Sequence, residues 1–588
     1  MTSAPQRHSV LFLSATCMLL ATVTTGVAWA LVQLISLITN LAFYQRWSFH
    51  EVSPAENSLG PVVIIVPVIG AVIIGLMARF GSKAIRGHGI PEAMEQILTN
   101  RSRIPARVTV LKPLSAAISI GTGGPFGAEG PIIATGGALG SVVGQMLSVT
   151  GSERKVLLAA GAAAGMTAIF GSPISAVLLA IELLLFEYSA RSVIPVALAC
   201  ATAAALRVQC FGSGAVFAMP DVPVLPTQQV LAFVVLGGVV GMAAAWVSRA
   251  VYWVEDQFEK LPIHWMWWPA LGAVAVGGIG YFAPRTLGVG YNNIQDMVGQ
   301  ALPVSLVAWL CGMKLVSWLI SLGSGTSGGT LAPLLTIGAG LGTLLAFGAQ
   351  GLGLDLPLGI SALVGMAAMF AGASRALLAS IVFAFETTQQ PHALPALLAG
   401  GTAAYLASHF FSLHSIMTEK ITRRGVAVPQ TYLPNPLQNL NVKDVMSDDF
   451  QTVPETLTAA ELGARVAAGD PAVSRRQACL LVDTEGRLTG IVTRGDLVRC
   501  EKPAKTLKEL APEILHTAFP EESVATVQAR LIRYNIGRLP VVDPAEPGCI
   551  LGYLGRAEIL AAHTVAADEE VHEAGWLAQW HSRRQQKV

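Results

Sequence analysis

Charged residues are scarce in this sequence. Asp, Glu, Lys and Arg make up 13% of the 588 residues, whereas soluble domains carry about 25%. The hydrophobic share is 53% and the mean hydropathy is +0.56, which indicates a membrane protein. The charges are also uneven, because about 40 of the 75 (38 basic and 37 acidic) lie after residue 420. The composition therefore predicts a membrane domain of roughly 420 residues followed by a soluble domain.

Several patterns that indicate metal binding, disulfides or catalysis are missing from the sequence. The seven cysteines show no CxxC spacing, and four of them lie in apolar segments, so we expect no disulfide framework, no metal site and no resident cofactor. The soluble part has no Walker A motif, Rossmann fingerprint or metal-ligand cluster, which argues against an enzyme. The net charge of +1 gives no support for a nucleic-acid partner.

The N-terminus permits two interpretations. Arg7 and His8 precede an apolar run, and AWA (28–30) resembles the cleavage site of a secretory signal peptide. The apolar sequence, however, continues to residue 43, well beyond the roughly 7–15 residues of a signal-peptide core. We therefore expect a retained membrane helix in this region.

The apolar segments of the membrane part are short. Many fall below the roughly 20 residues that a full span needs, and glycine or proline interrupts them repeatedly. Irregular backbone at membrane depth is tolerated where protein buries it or where it lines a cavity, so these segments favour a transport pathway over a simple anchor. They lie near residues 9–43, 61–80, 106–120, 131–148, 155–185, 192–208, 229–252, 267–282, 303–322, 333–351, 359–371, 375–385 and 392–412.

An internal repeat divides the membrane part into two halves, about 60–210 and 225–412. The stretch KPLSAAISIGTGGPFGAEGP (112–131) aligns without gaps with KLVSWLISLGSGTSGGTLAP (314–333). The paired lysines and the shared terminal proline argue against a chance match of two glycine-rich runs. The identical positions are Lys112/Lys314, Ser115/Ser317, Ile118/Ile320, Ser119/Ser321, Gly121/Gly323, Gly123/Gly325, Gly127/Gly329 and Pro131/Pro333.

Both copies of the repeat end with glycines, then proline, then an apolar helix. Proline is favoured in the first turn of a helix, and glycine lets the backbone pack closely there. GHGIPEAMEQIL provides a third such start, in which Pro91 opens a helix. The first turn of a helix has unpaired N–H groups and about half a positive charge. Three such starts that converge near the bilayer midplane would form an anion site.

These motifs resemble those of the ClC family of chloride channels and chloride/proton antiporters. GHGIP (87–91) is similar to the family's GSGIP, GAEGP (127–131) to its GREGP, and GGTLAP (328–333) to its GxFxP segment, in the same order and spacing. The resemblance covers nearly all of residues 1–425. It implies a mostly α membrane protein, an inverted-repeat bundle of tilted and broken helices that transports chloride as a homodimer with one pathway per subunit.

The resemblance also implies roles for particular residues. Lys112 and Lys314 fit the family's intramembrane basic positions. Glu129 corresponds to the gate, whose carboxylate competes with the permeating anion for the outer site; structural capping by Glu129 is the alternative. The resemblance assigns anion binding to Gly87, His88, Gly89, Ile90, Pro91, Gly127, Ala128, Gly130, Thr330, Leu331 and Met417.

The charge of Glu129 is subject to two opposed effects. Desolvation favours the neutral acid, whereas neighbouring helix N-termini favour the carboxylate. The charge can therefore respond to pH, voltage and chloride, so that the ionised form blocks the pathway and the protonated or displaced form opens it. An intramembrane carboxylate is costly and is a functional candidate for that reason.

Two departures from the family pattern remove hydroxyl donors to the central anion. His88 stands where the family usually has serine, and an imidazole can donate an N–H and can become cationic. Chloride selectivity is therefore in question, unless a neutral ring turns away from the pathway. Met417 aligns with the tyrosine that closes the central site, because SIMTEKITRRG (415–425) resembles the family's SIYT run; His414 is the alternative. Backbone amides would then contribute more of the binding.

Other departures concern the gate and the proton route. Leu331 replaces the Phe of GxFxP and aligns with Glu129 in the repeat, and Ala128 replaces the Arg of GREGP. The internal glutamate of the antiporters aligns with Leu183, just after Glu182, and channel members also have an apolar residue there. This favours a gated channel or uncoupled transporter over an antiporter, unless Glu182 or Glu187 serves another proton route.

The soluble part contains two similar units and resembles a CBS-domain pair with an α/β fold. ACLLVDTEGRLTGIVTRGDL (478–497) and RLPVVDPAEPGCILGYLGRAEIL (538–560) share the order strand, Val-Asp, turn, Gly, strand, helix. The predicted boundaries are 1–425 for the transport domain, 426–440 for a linker, 441–500 and 505–565 for the two CBS domains, and 566–588 for a polar tail.

CBS pairs can bind adenine nucleotides through a Gly-x-x-Thr-x-x-Asp run. Gly490, Thr493 and Asp496 fit this run, whereas the second unit departs from it with Gly555 and Glu558. An adenine nucleotide is therefore a candidate ligand, and a structural dimerisation module is the favoured alternative. We expect the CBS pair on the cytoplasmic side of a bacterial inner membrane.

Two rival functions can be compared with this prediction. A CBS-bearing cation transporter needs several midplane carboxylates, and the membrane part offers essentially Glu129 and the pair Glu182 and Glu187. A non-transporting membrane sensor with a CBS readout would leave the three helix starts without a use. Anion transport is therefore the preferred interpretation.

Overall fold

The computed structural model describes residues 9–147, 149–426, 428–429, 437, 440–475 and 477–562. Its contacts divide the chain into two units, Met1–Tyr432 and Leu433–Val588. Most of the predicted linker 426–440 and all of the predicted tail 566–588 lie outside the described residues.

The first unit is helical throughout. Six of its described segments are long and apolar enough to cross a membrane: Val10–Tyr44, Gly60–Gly81, Ala190–Phe211, Thr227–Glu259, Val304–Gly323 and Leu331–Gly351. The α-helices are α1 (Val10–Tyr44), α2 (Ile65–Leu76), α3 (Ile90–Thr99), α4 (Val108–Gly121), α5 (Glu129–Met146), α6 (Gly151–Phe170), α7 (Pro173–Leu179), α8 (Ala190–Phe211), α9 (Thr227–Glu259), α10 (Trp268–Phe282), α11 (Tyr291–Val298), α12 (Val304–Gly323), α13 (Leu331–Gly351), α14 (Leu358–Ser374), α15 (Leu377–Thr388), α16 (Leu394–Phe411) and α17 (Glu419–Arg423).

Shorter helical segments adjoin these helices. A 3₁₀ segment precedes α2, and π segments follow α2 and α7: Gly60–Ile64, Met77–Gly81 and Ala180–Leu185. The apolar run at 155–185 is therefore two helices and a π segment. The break follows from Gly171, which ends α6 with φ 62°, a left-handed conformation that favours glycine, and from Pro173, which begins α7.

Equivalent glycines bring neighbouring helices together within each half. In the first half, α5 packs on α6, and a Cβ at Gly136 would overlap the backbone of Gly161. In the second half, α13 packs on α14, and a Cβ at Gly338 would lie 2.6 Å from the carbonyl oxygen of Gly365. Small residues let membrane helices approach at backbone distance. The repeat in the sequence is thus also a repeat in helix packing.

The second unit contains two small sheets with separate apolar cores. In the first sheet β1 runs parallel to β2 and β2 pairs antiparallel with β3; in the second, β4 pairs antiparallel with β5. The strands are β1 (Thr452–Pro454), β2 (Ala478–Val482), β3 (Leu488–Thr493), β4 (Arg538–Val542) and β5 (Ile550–Gly555), and the helices are α18 (Val442–Val445), α19 (Ala459–Ala467), α20 (Pro471–Ser474), α21 (Arg494–Val498), α22 (Leu507–Leu510) and α23 (Val524–Tyr534). The predicted order of strand, turn, strand and helix is confirmed for both sheets of this second unit. The helix α21 follows β3, and residues 556–562 are helical after β5.

Candidate functional site

The N-termini of α3, α5 and α13 meet at one point in the membrane unit. The Gly329 amide donates a hydrogen bond of 3.2 Å to the Gly127 carbonyl, which joins the starts of α5 and α13. A Cβ at Gly130 would lie 2.8 Å from the Cα of Gly329 and would overlap the carbonyl of His88, which precedes α3. Because these contacts join backbone to backbone, only glycine permits them. The convergence expected from the sequence is therefore present.

Glu129 is the first residue of α5, and its side chain is buried at this meeting point. Its carboxylate lies against two glycines: a Cβ at Gly127 would overlap it, and one at Gly329 would lie 3.2 Å from Oε2. The Tyr291 hydroxyl donates to Oε1 over 2.7 Å, whereas Oε2 accepts no hydrogen bond. Among the described residues no basic side chain lies within ion-pair distance of Glu129. Helix N-termini and one hydroxyl surround this carboxylate.

The paired lysines fix the loops that precede two helices. Lys112 donates to the carbonyls of Ile85 and Gly87 over 2.8 and 3.0 Å, before α3. Lys314 donates to the carbonyls of Thr286 and Gly288, both over 2.9 Å, before α11. Both ammonium groups are buried. The two lysines thus perform the same structural role in the two halves.

The start of α11 is a fourth helix start that the sequence prediction missed. GVGY (288–291) precedes α11 as GHGI (87–90) precedes α3, and the four glycines of these two stretches have φ between 67° and 98°. In each half the Gly-x-Gly stretch precedes the repeated lysine at nearly the same distance. This spacing could have identified the fourth start from the sequence. The fourth start, however, has no proline after its glycines.

His88 lines a cavity of about 800 Å³ together with Gly87, Gly89 and Lys112. The imidazole is 3% exposed, and its Nδ1 has no hydrogen-bond partner. A smaller cavity of about 110 Å³ is lined by Ala128, Tyr291 and other residues. Glu129 lines neither cavity, but its chain neighbour Ala128 lines the smaller one and His88, whose carbonyl adjoins Gly130, lines the larger one.

The remaining residues predicted for anion binding divide into two groups. Those at the helix starts are buried beside Glu129 and His88: Gly87, Gly89, Ile90, Pro91, Gly127, Ala128, Gly130, Thr330 and Leu331. Met417 is also buried, but it lies outside the lining of both cavities among the described residues. A tyrosine that the prediction missed, Tyr252 on α9, lines the larger cavity and donates to the Ile416 carbonyl over 2.6 Å.

Glu182 caps a helix in this structure. Its carboxylate accepts hydrogen bonds of 3.0 and 3.1 Å from the amides of Leu378 and Ala379, at the start of α15. Glu386, near the end of α15, accepts bonds of 3.0 and 2.8 Å from the amides of Ile174 and Ser175, at the start of α7. The π segment that follows α7 therefore caps α15, and α15 caps α7. Neighbouring Leu183 is buried in the π segment, and Glu187 pairs with Lys155 at 2.7 Å.

Glu386→Gln is expected to lower thermal stability while leaving the gate intact. The amide keeps one acceptor oxygen but loses the charge that favours a helix N-terminus, and the loss of such a cap costs about 1 kcal/mol. Thermal unfolding of the purified protein should show a lower Tm for Glu386→Gln and for Glu182→Gln, and an unchanged Tm for the control Glu56→Gln, whose carboxylate is exposed. Wild-type Tm in both variants would contradict the reciprocal caps.

In the second unit, Thr493 and Asp496 form the start of α21. The Asp496 carboxylate accepts from the Thr493 amide and hydroxyl over 2.9 and 2.6 Å and pairs with Arg499 at 2.9 Å. Partial burial opposes ionisation, but these hydrogen bonds and the Arg499 charge hold the pKa of Asp496 below its usual value. The two side chains lie together, and the hydrogen bonds between them stabilise the start of α21.

The sequence matches the family model for voltage gated chloride channels over residues 69–409, which is more than half of the chain. The chain belongs to the voltage-gated chloride channel family. Two matches to the CBS domain follow at residues 442–502 and 508–564. These matches agree with the helical membrane unit and with the two small sheets of the second unit.

Relatives of this family member have names of two kinds. The chain is 28% identical to a "Putative chloride channel protein ClcB-like" of Ralstonia nicotianae, over 61% of this chain and 85% of the relative. It is 29% identical to an "H(+)/Cl(-) exchange transporter ClcA" of Vibrio vulnificus, over 61% of this chain and 79% of the relative. A crystal structure of a slow cyanobacterial Cl⁻/H⁺ antiporter has the same fold, with TM-score 0.64 and 21% identity, over 71% of this chain and 99% of that one.

Proposed function

We propose that this voltage-gated chloride channel family member carries chloride across the membrane along a pathway that Glu129 gates. One observation carries the proposal: a buried carboxylate without a basic partner among the described residues lies where the starts of α5 and α13 meet. A helix N-terminus attracts any anion of suitable size. The carboxylate therefore occupies the position in which the transported anion would bind.

The gate follows from competition for these N-termini. While Glu129 is ionised and in place, its charge lies at the positive ends of α5 and α13, and its carboxylate fills the space beside Gly127 and Gly329. Protonation removes the charge that holds the side chain there, and a chloride ion can displace it directly. Gly127 and Gly329 leave the space that either the carboxylate or the anion requires.

His88 is proposed as the residue that tunes anion preference. Its buried ring lines the larger cavity with one nitrogen free of hydrogen bonds, so it can present an N–H to an anion where the family has a hydroxyl. A cationic ring would add attraction that serine lacks. Altered anion selectivity is the consequence that this substitution favours.

Gated conduction, or uncoupled transport, is the preferred mode. Leu183 offers no proton acceptor at the position of the antiporters' internal glutamate, and the carboxylate of Glu182 is engaged in capping α15. Chloride/proton antiport is the second candidate, and it is supported by the relatives named as H(+)/Cl(-) exchange transporters.

Chloride and proton movement in liposomes distinguish these modes. Purified protein in chloride-loaded liposomes should release chloride, and the internal pH should stay constant if conduction is uncoupled. Proton uptake that accompanies chloride efflux and disappears in Glu129→Ala would establish antiport instead. An absence of chloride flux from wild-type protein would contradict chloride transport, and His88 and Met417 would then be the first residues to replace.

The oligomeric state and the membrane location of the protein are also proposed. The resemblance to the family supports a homodimer in the lipid bilayer of a bacterial inner membrane, with the CBS pair in the cytoplasm. We propose a dimerisation role for the CBS pair, and an adenine nucleotide bound at Thr493 and Asp496 is the alternative. No resident cofactor is proposed.

A further inference from the structure

Tyr291 provides the hydroxyl that contacts the gate. It is the first residue of α11 and donates a hydrogen bond of 2.7 Å to Oε1 of Glu129. Within the described part of the chain, this is the carboxylate's one side-chain partner, because Oε2 has no hydrogen bond. Tyr291 also lines the smaller cavity, together with Ala128, the residue that precedes Glu129.

The tyrosine ring is fixed by its neighbours. Phe170 and Phe217 pack edge-on against it, with centroids at 5.7 and 6.1 Å, and Phe170 in turn packs against Phe383 at 4.8 Å. Aromatic pairs in this geometry are favourable beyond the area they bury. The ring cannot follow a moving carboxylate without losing these contacts.

The backbone of Tyr291 is fixed as well. Lys314 donates to the carbonyls of Thr286 and Gly288, in the loop that leads into α11. Gly290, with φ 78°, allows this loop to turn directly before Tyr291, and a Cβ there would lie 3.3 Å from the Lys314 ammonium nitrogen. The hydroxyl therefore has a defined position, from which it contacts the carboxylate where the starts of α5 and α13 meet.

From this geometry we propose that Tyr291 is the positioning residue of the gate: its hydroxyl stabilises the blocking conformation of Glu129 and so sets how readily chloride displaces it. The inference rests on the proposed gating function and adds a residue to it. A hydrogen bond to a charged acceptor that is present in one state alone shifts the equilibrium between two states by roughly tenfold.

Tyr291→Phe tests the proposal because it removes the hydroxyl and keeps the ring. Chloride flux is measured in liposomes as a function of chloride concentration. The apparent KM for chloride is expected to fall roughly three- to tenfold, because chloride competes with a less firmly held carboxylate, while the rate at saturating chloride changes little. Tyr44→Phe is the matched control, since the Tyr44 hydroxyl donates to the Ser53 carbonyl and not to Glu129.

Combining Tyr291→Phe with a substitution of Glu129 distinguishes a role in positioning the gate from a general structural role of Tyr291. In Glu129→Ala neither the charge nor an acceptor oxygen remains for the Tyr291 hydroxyl, so Tyr291→Phe should leave the KM of that variant unchanged; a drop of equal size in both backgrounds would overturn the proposal. An unchanged KM for Tyr291→Phe in wild-type background would overturn it too, and a higher KM would show that the hydroxyl binds the anion instead. If Glu129→Ala itself leaves KM and flux unchanged, the proposed gate fails, and the positioning role fails with it.

Discussion

Replacing Glu129 with glutamine is expected to open the anion pathway and to remove its dependence on chloride competition. Glutamine has nearly the same shape as the native side chain, so the glycines around it remain compatible, but it lacks the charge that the N-termini of α5 and α13 attract. A carboxylate at a helix N-terminus is stabilised by up to about 2 kcal/mol, which corresponds to a roughly 30-fold change in the ratio of blocked to open pathways.

The measurement is chloride efflux from liposomes at limiting chloride, compared with wild type. Glu56→Gln is the control, because it removes one carboxylate from an exposed position of the same unit. We expect a faster efflux for Glu129→Gln alone. Equal fluxes in wild type, Glu129→Gln and the control would mean that Glu129 is a structural cap, the alternative that its position in the first turn of α5 also allows.

Lys314→Met is expected to have the largest effect on stability. The substitution keeps the apolar stem but leaves the carbonyls of Thr286 and Gly288 without their donor in a buried loop. Each unsatisfied buried group costs about 1–3 kcal/mol. We expect the Tm of the purified protein to fall by about 5 °C or more, and Lys112→Met to behave alike because its two hydrogen bonds are equivalent.

Lys260→Met controls for the loss of a lysine. Lys260 is exposed at the end of α9, and the one described hydrogen bond of its side chain, to Gln257, is 3.5 Å long, so its replacement should change Tm by less than the other two. A Tm for Lys314→Met equal to that of the control would show that the ammonium group does not fix the loop before α11.

Much of the membrane unit could be predicted from the sequence because its helices are apolar and their breaks are glycine or proline. The segment predicted at 303–322 is α12, and the one at 392–412 is α16. The helix starts were predictable for the same reason, since glycines followed within a few residues by proline mark where α5 and α13 begin. The boundary between α6 and α7 was missed although Gly171 and Pro173 mark it, because the sequence stays apolar on both sides of the break.

Contacts across the fold could not be predicted. Tyr291 lies 162 residues from Glu129 in the chain, and the glutamates that cap α7 and α15 accept from amides about 200 residues away. Neither contact leaves a local pattern, because each depends on how the two halves pack. The repeat indicated that the halves correspond, but not which of their residues meet.

The two halves supply equivalent parts to the site, with one difference. Each contributes a lysine, a Gly-x-Gly loop and a glycine-rich helix start. At the first position of the helix, however, α5 has Glu129 where α13 has Leu331. Of these two helix starts, α5 alone carries an acidic side chain at its first position, which is what a gate for one anion requires.

The most direct test of the gate is anomalous diffraction from crystals grown in bromide, an anion that can replace chloride. We expect a bromide peak between Gly127 and Gly329 in Glu129→Gln, and none there in wild type, where the carboxylate occupies that position. A variant without bromide at that position, or wild-type protein with bromide beside an undisplaced carboxylate, would contradict the claim that Glu129 and the anion compete for the same helix N-termini.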